Sequence, residues 1–274
     1  MVYFLRVLTY SIVACVGYIV IDIIWNGLPV LNWEFVSSFP RRGGSEGGIF
    51  PAIVGTLCLV GGTISLAFPL GVSCAIYLSE YSKPGKFLNA MRLAIITLAG
   101  IPSIVFGLFG LGVFVLFLNL GSSILAGSLT LACMILPTII VVSEEALRAV
   151  PQTFREGSLA LGATKWQTIS RNILPCALPG MITGTLLWVG RSAGETAPIL
   201  LTVAAFYLPR LPHSIFDQVM ALPYHLYVLA TQHPDIEKVR PLQYGTALVL
   251  LLLVLGLNGL AIFLRRKFRK KHAW

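Results

Sequence analysis

Six apolar stretches, each about as long as a bilayer-spanning helix, take up most of a chain of 274 residues. They run approximately over 5–25, 52–78, 93–118, 123–142, 178–203 and 244–264. A helix needs roughly 20 predominantly apolar residues to cross a hydrocarbon core. In that medium every backbone donor and acceptor must be satisfied internally, which leaves helices or closed barrels. These runs are too long for barrel strands, so the fold class is all-α, a polytopic membrane protein with six transmembrane helices. Composition agrees: 56% of residues are hydrophobic and 11% charged, against about 25% charged in soluble domains, and mean hydropathy is +0.84.

The net charge of +9 does not point to nucleic acid, because six cations crowd into the terminal "RRKFRKKHAW" directly after an apolar run. Such a basic flank marks the cytoplasmic end of a membrane segment. Placing both termini in the cytoplasm puts fourteen Lys and Arg inside and five outside, with Arg191 left within a span. An even number of spans fits that arrangement. The first run, behind Arg6, is long and lacks a clear small-x-small cleavage site, so it reads as a retained anchor. The five cysteines lie in or beside apolar runs without metal-like spacing and read as small buried hydrophobes.

Pro69, Pro102 and Pro137 fall inside the second, third and fourth runs. Each removes a backbone donor, which is tolerated in lipid where neighbouring helices or water re-satisfy the freed carbonyls. The kinked helices should therefore pack together and line a polar route. Gly180 and Gly184, and Gly190 and Gly194, offer close backbone approach in the fifth run. Of the two larger outer loops, 26–50 holds "RRGGSEGG" and reads as flexible, while 204–243 holds His213, His225 and His233. Their spacing matches no usual zinc pattern, so no metal is expected. "FDQVMALPYHLYVLA" in the second loop reads as a helix lying on the outer surface or dipping into it.

The polar stretch between the fourth and fifth runs carries local signals in order. Pro151 suits a helix start, Gly162 a left-handed stop, and Thr164 with Gln167 a capping box for a second helix. That second helix should place Trp166, Ile169 and Ile173 on one side and feed into the fifth run near Pro175. A helix, a tight turn and a helix form a compact cytoplasmic knob, with Phe154, Leu159 and Leu161 ringed by Arg155, Glu156 and Lys165. No nucleophile–base pair, paired catalytic carboxylates or G-x-x-x-x-G-K-[ST] phosphate loop occurs in the sequence. The chain reads as a docking protein rather than an enzyme; any nucleotide hydrolysis would belong to another subunit.

"EGSLALG" at 156–162, nine residues, then "NILP" at 172–175 resembles the E-A-A-x-x-x-G-x9-I-x-L-P signature of membrane subunits of binding-protein-dependent ABC importers, with Gly157-Ser158 for Ala-Ala and Asn172 for the usual Ile. "GIPSIVFGLFGL" at 100–111, "GRSAGETAPILLT" at 190–202 and "LPYHLYVLAT" at 222–231 further resemble the phosphate-importing, PstA-type branch. The resemblance implies a MetI-like ABC permease core of kinked helices over 51–264. Ahead of it would lie a first transmembrane helix and outer loop (1–50), behind it a basic cytoplasmic tail (265–274), and within it a coupling hairpin at 144–175. It implies that Phe154, Arg155, Glu156, Leu159, Gly162, Ala163, Thr164 and Lys165 face an ATPase. It also implies a second homologous permease, two ATPase subunits and an extracytoplasmic phosphate-binding protein in a bacterial plasma membrane. No cofactor is implied for this chain; ATP and Mg would serve the partner ATPase.

Arg191 and Glu195 lie four residues apart in the fifth run and so share a helix face. An ionisable group at mid-membrane costs at least about 2.5 kcal/mol, so it usually faces a bundle interior or a wet cavity. Arg191 has the planar fork that suits a phosphate; Glu195 would orient it, and Ser192 and Thr196 add polar groups. The alternative is a structural ion pair locking the span to its neighbours. Two further functions stay open: an ABC permease for another oxyanion such as sulfate or molybdate, and an autonomous secondary transporter, which would need internal repeats or a coupling-ion site.

Overall fold

A computed structural model describes residues 2–44 and 46–271. Its elements in order are helix α1 (Val2–Gly27), α2 (Trp33–Ser37), strands β1 (Pro40–Arg41) and β2 (Glu46–Gly47), α3 (Phe50–Ile76), α4 (Lys86–Ala99), α5 (Ser103–Gly110), α6 (Ile124–Arg148), α7 (Gln152–Ala160), α8 (Lys165–Thr168), α9 (Leu174–Ser192), α10 (Ala197–Thr202), α11 (Leu222–Thr231) and α12 (Ile236–Lys271). Short π-helical segments extend α3 over Tyr77–Tyr81, extend α5 over Leu111–Phe117, and join α8 to α9 over Ile169–Ile173. By length and composition five helices can cross a membrane: Tyr3–Val30, Phe50–Tyr81, Ile124–Arg148, Lys165–Ser192 and Ile236–Lys267. A sixth crossing exists if α4 and the α5 segment count as one.

That sixth element carries the kink expected at Pro102, but as a full break of the helix. The chain bends by 98° between Lys86–Ala99 and Ser103–Phe117. Gly100 ends α4, and Pro102, with φ −57° and ψ 140°, opens α5 from an extended conformation. Pro69 and Pro137, by contrast, sit inside continuous helices. The fifth span also differs from its expected 178–203. It starts at Lys165 and ends at Ser192, and α10 begins only after a break. Pro198, in the first turn of α10, cannot donate to residue 194, which favours the break over a continued helix.

Contacts group the chain into two compact units. One comprises Met1–Thr56, Ala205–Leu211 and Val219–Leu253, the other Leu57–Ala204, Pro212–Gln218 and Val254–Trp274. Of the basic tail, residues 272–274 lie outside the described residues, as does Ser45 of the glycine-rich loop.

In the first unit, Phe35, Ile49, Ala52, Met220, Leu222 and Val249 form a core. The loop expected to be flexible carries short ordered elements: Asn32 Oδ1 accepts from the Phe35 amide at 2.7 Å to cap α2, and β1 pairs antiparallel with β2. Helix α11 covers only part of its expected stretch and is buried along Leu222, Pro223, His225, Val228 and Leu229. Asp22 Oδ2 accepts from the Tyr244 hydroxyl at 3.1 Å, so this carboxylate serves packing.

His225 is 1% exposed and stacks on Phe206 with ring centroids 5.6 Å apart. Burial pushes its pKa down to about 4, opposed in part by a hydrogen bond with the Phe206 backbone. Because the folded value lies below the unfolded one, the unfolded chain binds the proton first. Stability is whole above pH about 6.5 and is lost as pH falls toward 4. The loss is on the order of 3 kcal/mol. Thermal unfolding of the solubilised protein between pH 7 and 4 should show the decline, and His225→Phe should flatten it.

The second unit is organised around α6. Ser123 caps it by accepting from the Ala126 amide at 3.2 Å, and the Ile124 and Leu125 amides donate to Asp217 and Ile215 carbonyls, both at 2.9 Å. Helix α6 packs antiparallel on α9, with Gly180 against Ala146 and Gly184 against Val142. A Cβ at Gly184 would overlap the Val142 side chain, so this approach requires glycine. Below it, Val72, Ala75 and Ile76 of α3, Leu147 and Val150 at the end of α6, and Ile169, Ile173, Ala177 and Met181 close a core at the base of the hairpin.

Candidate functional site

The second unit presents two features with functional character, a cavity and the polar hairpin. The cavity has a volume of about 300 Å³. One wall is the α4–α5 break, Ala99 to Ser103 with Phe106; another is Met134, Ile135 and Thr138 of α6; the third is Trp188, Arg191 and Ser192 of α9 with Glu195 beyond it. The break brings the N-terminus of α5 to the cavity, where Ser103 opens the first turn and the Val105 amide donates to the Pro102 carbonyl at 3.0 Å. Such half-helix N-termini favour negative charge.

Arg191 sits in the last turn of α9 rather than mid-span, and Glu195 follows in the break. The structure brings the two together with Arg191 Nε 3.8 Å from Glu195 Oε1, beyond hydrogen-bond length. The Arg191 side chain is 66% exposed and that of Glu195 19%. The guanidinium lies 4.9 Å from the Trp188 ring centroid, which holds it by a cation–π contact and leaves its fork open. Ser192 lines the cavity but is buried, and its hydroxyl donates to the Val189 carbonyl at 2.9 Å, so it is not free to meet a solute. Thr196 stands at the start of α10 outside the lining. Trp188 and Thr138 of the lining carry no local sequence signal, whereas the 99–103 turn is marked by Pro102 two residues after Gly100.

The hairpin forms from the local signals read in the sequence. Pro151, with φ −56° and ψ 144°, caps α7 from one position before its start. At its end the Gly162 amide donates to the Leu159 carbonyl at 3.0 Å and the Ala163 amide to the Ser158 carbonyl at 3.2 Å, with Gly162 at φ +83°. These are the paired bonds of a Schellman stop. The Thr164–Gln167 capping box then starts α8. Ser158 and Thr168 hydroxyls, 2.9 Å apart, tie the two helices.

Leu161 is 90% exposed, and Phe154, Glu156, Leu159, Thr164 and Lys165 are exposed with it, while Ala163 is half-buried. Two positions differ from expectation. Trp166 is exposed whereas Ile169 and Ile173 are buried, so the three do not share one buried face. Arg155 points inward rather than to a partner. Its Nη2 donates to Glu80 Oε1 at 2.8 Å and to the Leu147 carbonyl at 2.8 Å, and its Nη1 to the Val150 carbonyl at 2.7 Å.

In the other charged cluster Arg92 Nη2 and Arg148 Nη2 both reach Glu144 Oε1, at 2.6 and 2.7 Å, so each guanidinium is already paired. Among the described residues no three His, Cys, Asp or Glu gather as metal ligands.

Multiple apolar helices around a polar-walled cavity, with a rigid polar hairpin at one end, define a membrane permease. The chain belongs to the family described as binding-protein-dependent transport system inner membrane component, whose model matches residues 67–271. It is 38% identical over 222 residues to the phosphate transport system permease protein PstA 1 of Mycobacterium tuberculosis (strain CDC 1551 / Oshkosh), covering 80% of this chain and 71% of that one. It is 36% identical to the probable phosphate transport system permease protein PstA of Methanocaldococcus jannaschii, covering 88% and 83%. Similarity to the probable ABC transporter permease protein YqgI of Bacillus subtilis (strain 168) is 34% over 91% and 88%. Among solved structures, a bacterial ABC transporter importing the acidic polysaccharide alginate matches with TM-score 0.69 at 15% identity, over 96% of this chain and 94% of that one. That likeness is one of fold.

Proposed function

We propose that the chain is the transmembrane permease subunit of an ATP-driven phosphate importer, forming half of the route and coupled to a separate ATPase through the 152–168 hairpin. The observation that carries the reading is the open Arg191 fork in the cavity beside the α5 N-terminus; the phosphate permeases among its relatives name the oxyanion. A bidentate Arg recognises phosphate by charge and planar geometry. Glu195 at 3.8 Å partly offsets that charge, so the anion is held weakly enough to leave, as any conduit requires.

The second arm of the hairpin and Arg191 belong to one helix. Lys165–Ser192 is continuous, so a tilt imposed at Lys165 is delivered to Arg191, roughly 40 Å along the axis. Closing and reopening of paired ATPase subunits would rock this helix and expose the cavity to each side in turn. A second homologous permease completes the route, an extracytoplasmic binding protein supplies selectivity, and both termini face the cytoplasm. ATP and Mg act in the ATPase, and this chain needs no cofactor.

Reconstitution in vesicles tests the reading. With the ATPase, the second permease and the binding protein, ATP should drive accumulation of labelled phosphate that excess sulfate or molybdate does not compete away. The chain alone should concentrate nothing; sustained accumulation by it alone would mark a secondary transporter instead.

A further inference from the structure

The π-helical end of α3 touches both arms of the hairpin. Glu80 accepts from Arg155 of α7, with Nε at 3.3 and 3.4 Å from its two oxygens and Nη2 at 2.8 Å from Oε1. The next residue, Tyr81, lies under the Lys165 ammonium at the start of α8, 4.9 Å from the ring centroid. Two residues before Glu80 in the same segment, Leu78 is buried with Leu88 and Ile140, fixing the segment to α4 and α6. The Glu80–Arg155 pair is itself nearly dry, with side chains 9% and 15% exposed. Arg155 also caps the last turn of α6 through the Leu147 and Val150 carbonyls, where a cation is favoured. One guanidinium thus joins three helices, with donors on all three nitrogens engaged.

We propose that Glu80 and Arg155 are positioning residues that carry the stroke of the hairpin into α3, alongside the direct path into α9. A hairpin held to α9 alone could pivot about the 161–164 turn and leave α3 behind. A dry, multiply bonded ion pair resists that pivot because separating it strands a buried charge. Lysine cannot replace Arg155, since an ammonium cannot span Glu80 and two carbonyls in the guanidinium geometry. A π-turn at the end of α3 fits this role, as such turns recur at functional positions.

The inference rests on the hairpin being the ATPase-docking element, and the test separates the two. In the complete complex in vesicles, Glu80→Gln and Arg155→Lys should copurify with the ATPase in normal amount. They should keep hydrolysing ATP yet move about tenfold less phosphate per ATP. The exchange of charges, Glu80→Arg with Arg155→Glu, should recover part of that ratio. Unchanged phosphate per ATP in both single variants would overturn the proposal. So would loss of ATPase copurification that the charge exchange does not relieve, since that assigns the pair to assembly alone. If the ATPase fails to copurify with the unaltered chain, docking at the hairpin is what fails.

Discussion

Replacing Arg191 with glutamine is expected to lower phosphate uptake by at least about a hundredfold while leaving the complex assembled. Two charge-assisted hydrogen bonds to an anion, each about 1.5–3 kcal/mol, amount to two or more orders of magnitude. The fold should tolerate the change. At 3.8 Å the Glu195 contact is long, and the Arg191 side chain is two-thirds exposed. A structural lock would look like the Glu80–Arg155 pair, short and dry, and Arg191 is the opposite in both respects. Arg191→Lys keeps the charge without the planar fork and should retain a fraction of uptake. Labelled phosphate uptake in vesicles, with copurification of the ATPase as control, decides the matter; unchanged uptake in Arg191→Gln would make the pair a structural one.

The parts of the molecule legible in the sequence are those whose causes are local. Span count follows from apolar length, and the hairpin follows from Pro151, Gly162, Thr164 and Gln167, all within 17 residues. Less legible was what proline does inside a span. Pro69 and Pro137 leave their helices continuous, whereas Pro102 ends up in an extended conformation after Gly100 closes α4. The preceding glycine makes the difference: it lowers the cost of leaving the helix, and the residue before proline already disfavours helical backbone. The cavity wall at 99–103 exists because of that combination. Arg155 illustrates a second limit. A cation on a short polar helix reads as solvent-facing, but its partner Glu80 lies 75 residues away in sequence, and no local pattern announces a pairing at that distance.

The same local logic makes Gly162 the most sensitive residue of the hairpin. Gly162→Val is expected to release the ATPase and reduce uptake by tenfold or more, and Gly162→Asn to leave both near normal. The backbone at 162 has φ +83°, and nothing lies within 4 Å of where a Cβ would stand. Steric crowding by neighbours is therefore not the cause of the effect. The cost is the left-handed conformation itself, about 1–2 kcal/mol for a residue with a Cβ and higher for a β-branched one. Asparagine visits this region readily. Valine would relieve the strain by giving up the Ala163–Ser158 and Gly162–Leu159 bonds, and α7 would no longer hold its angle to the Thr164-capped α8. The core beneath, from Val72 to Met181, does not depend on that turn, so the protein should still insert. Copurification and vesicle uptake read the two variants side by side. Normal ATPase assembly and uptake with valine at 162 would show that the hairpin does not dock the motor.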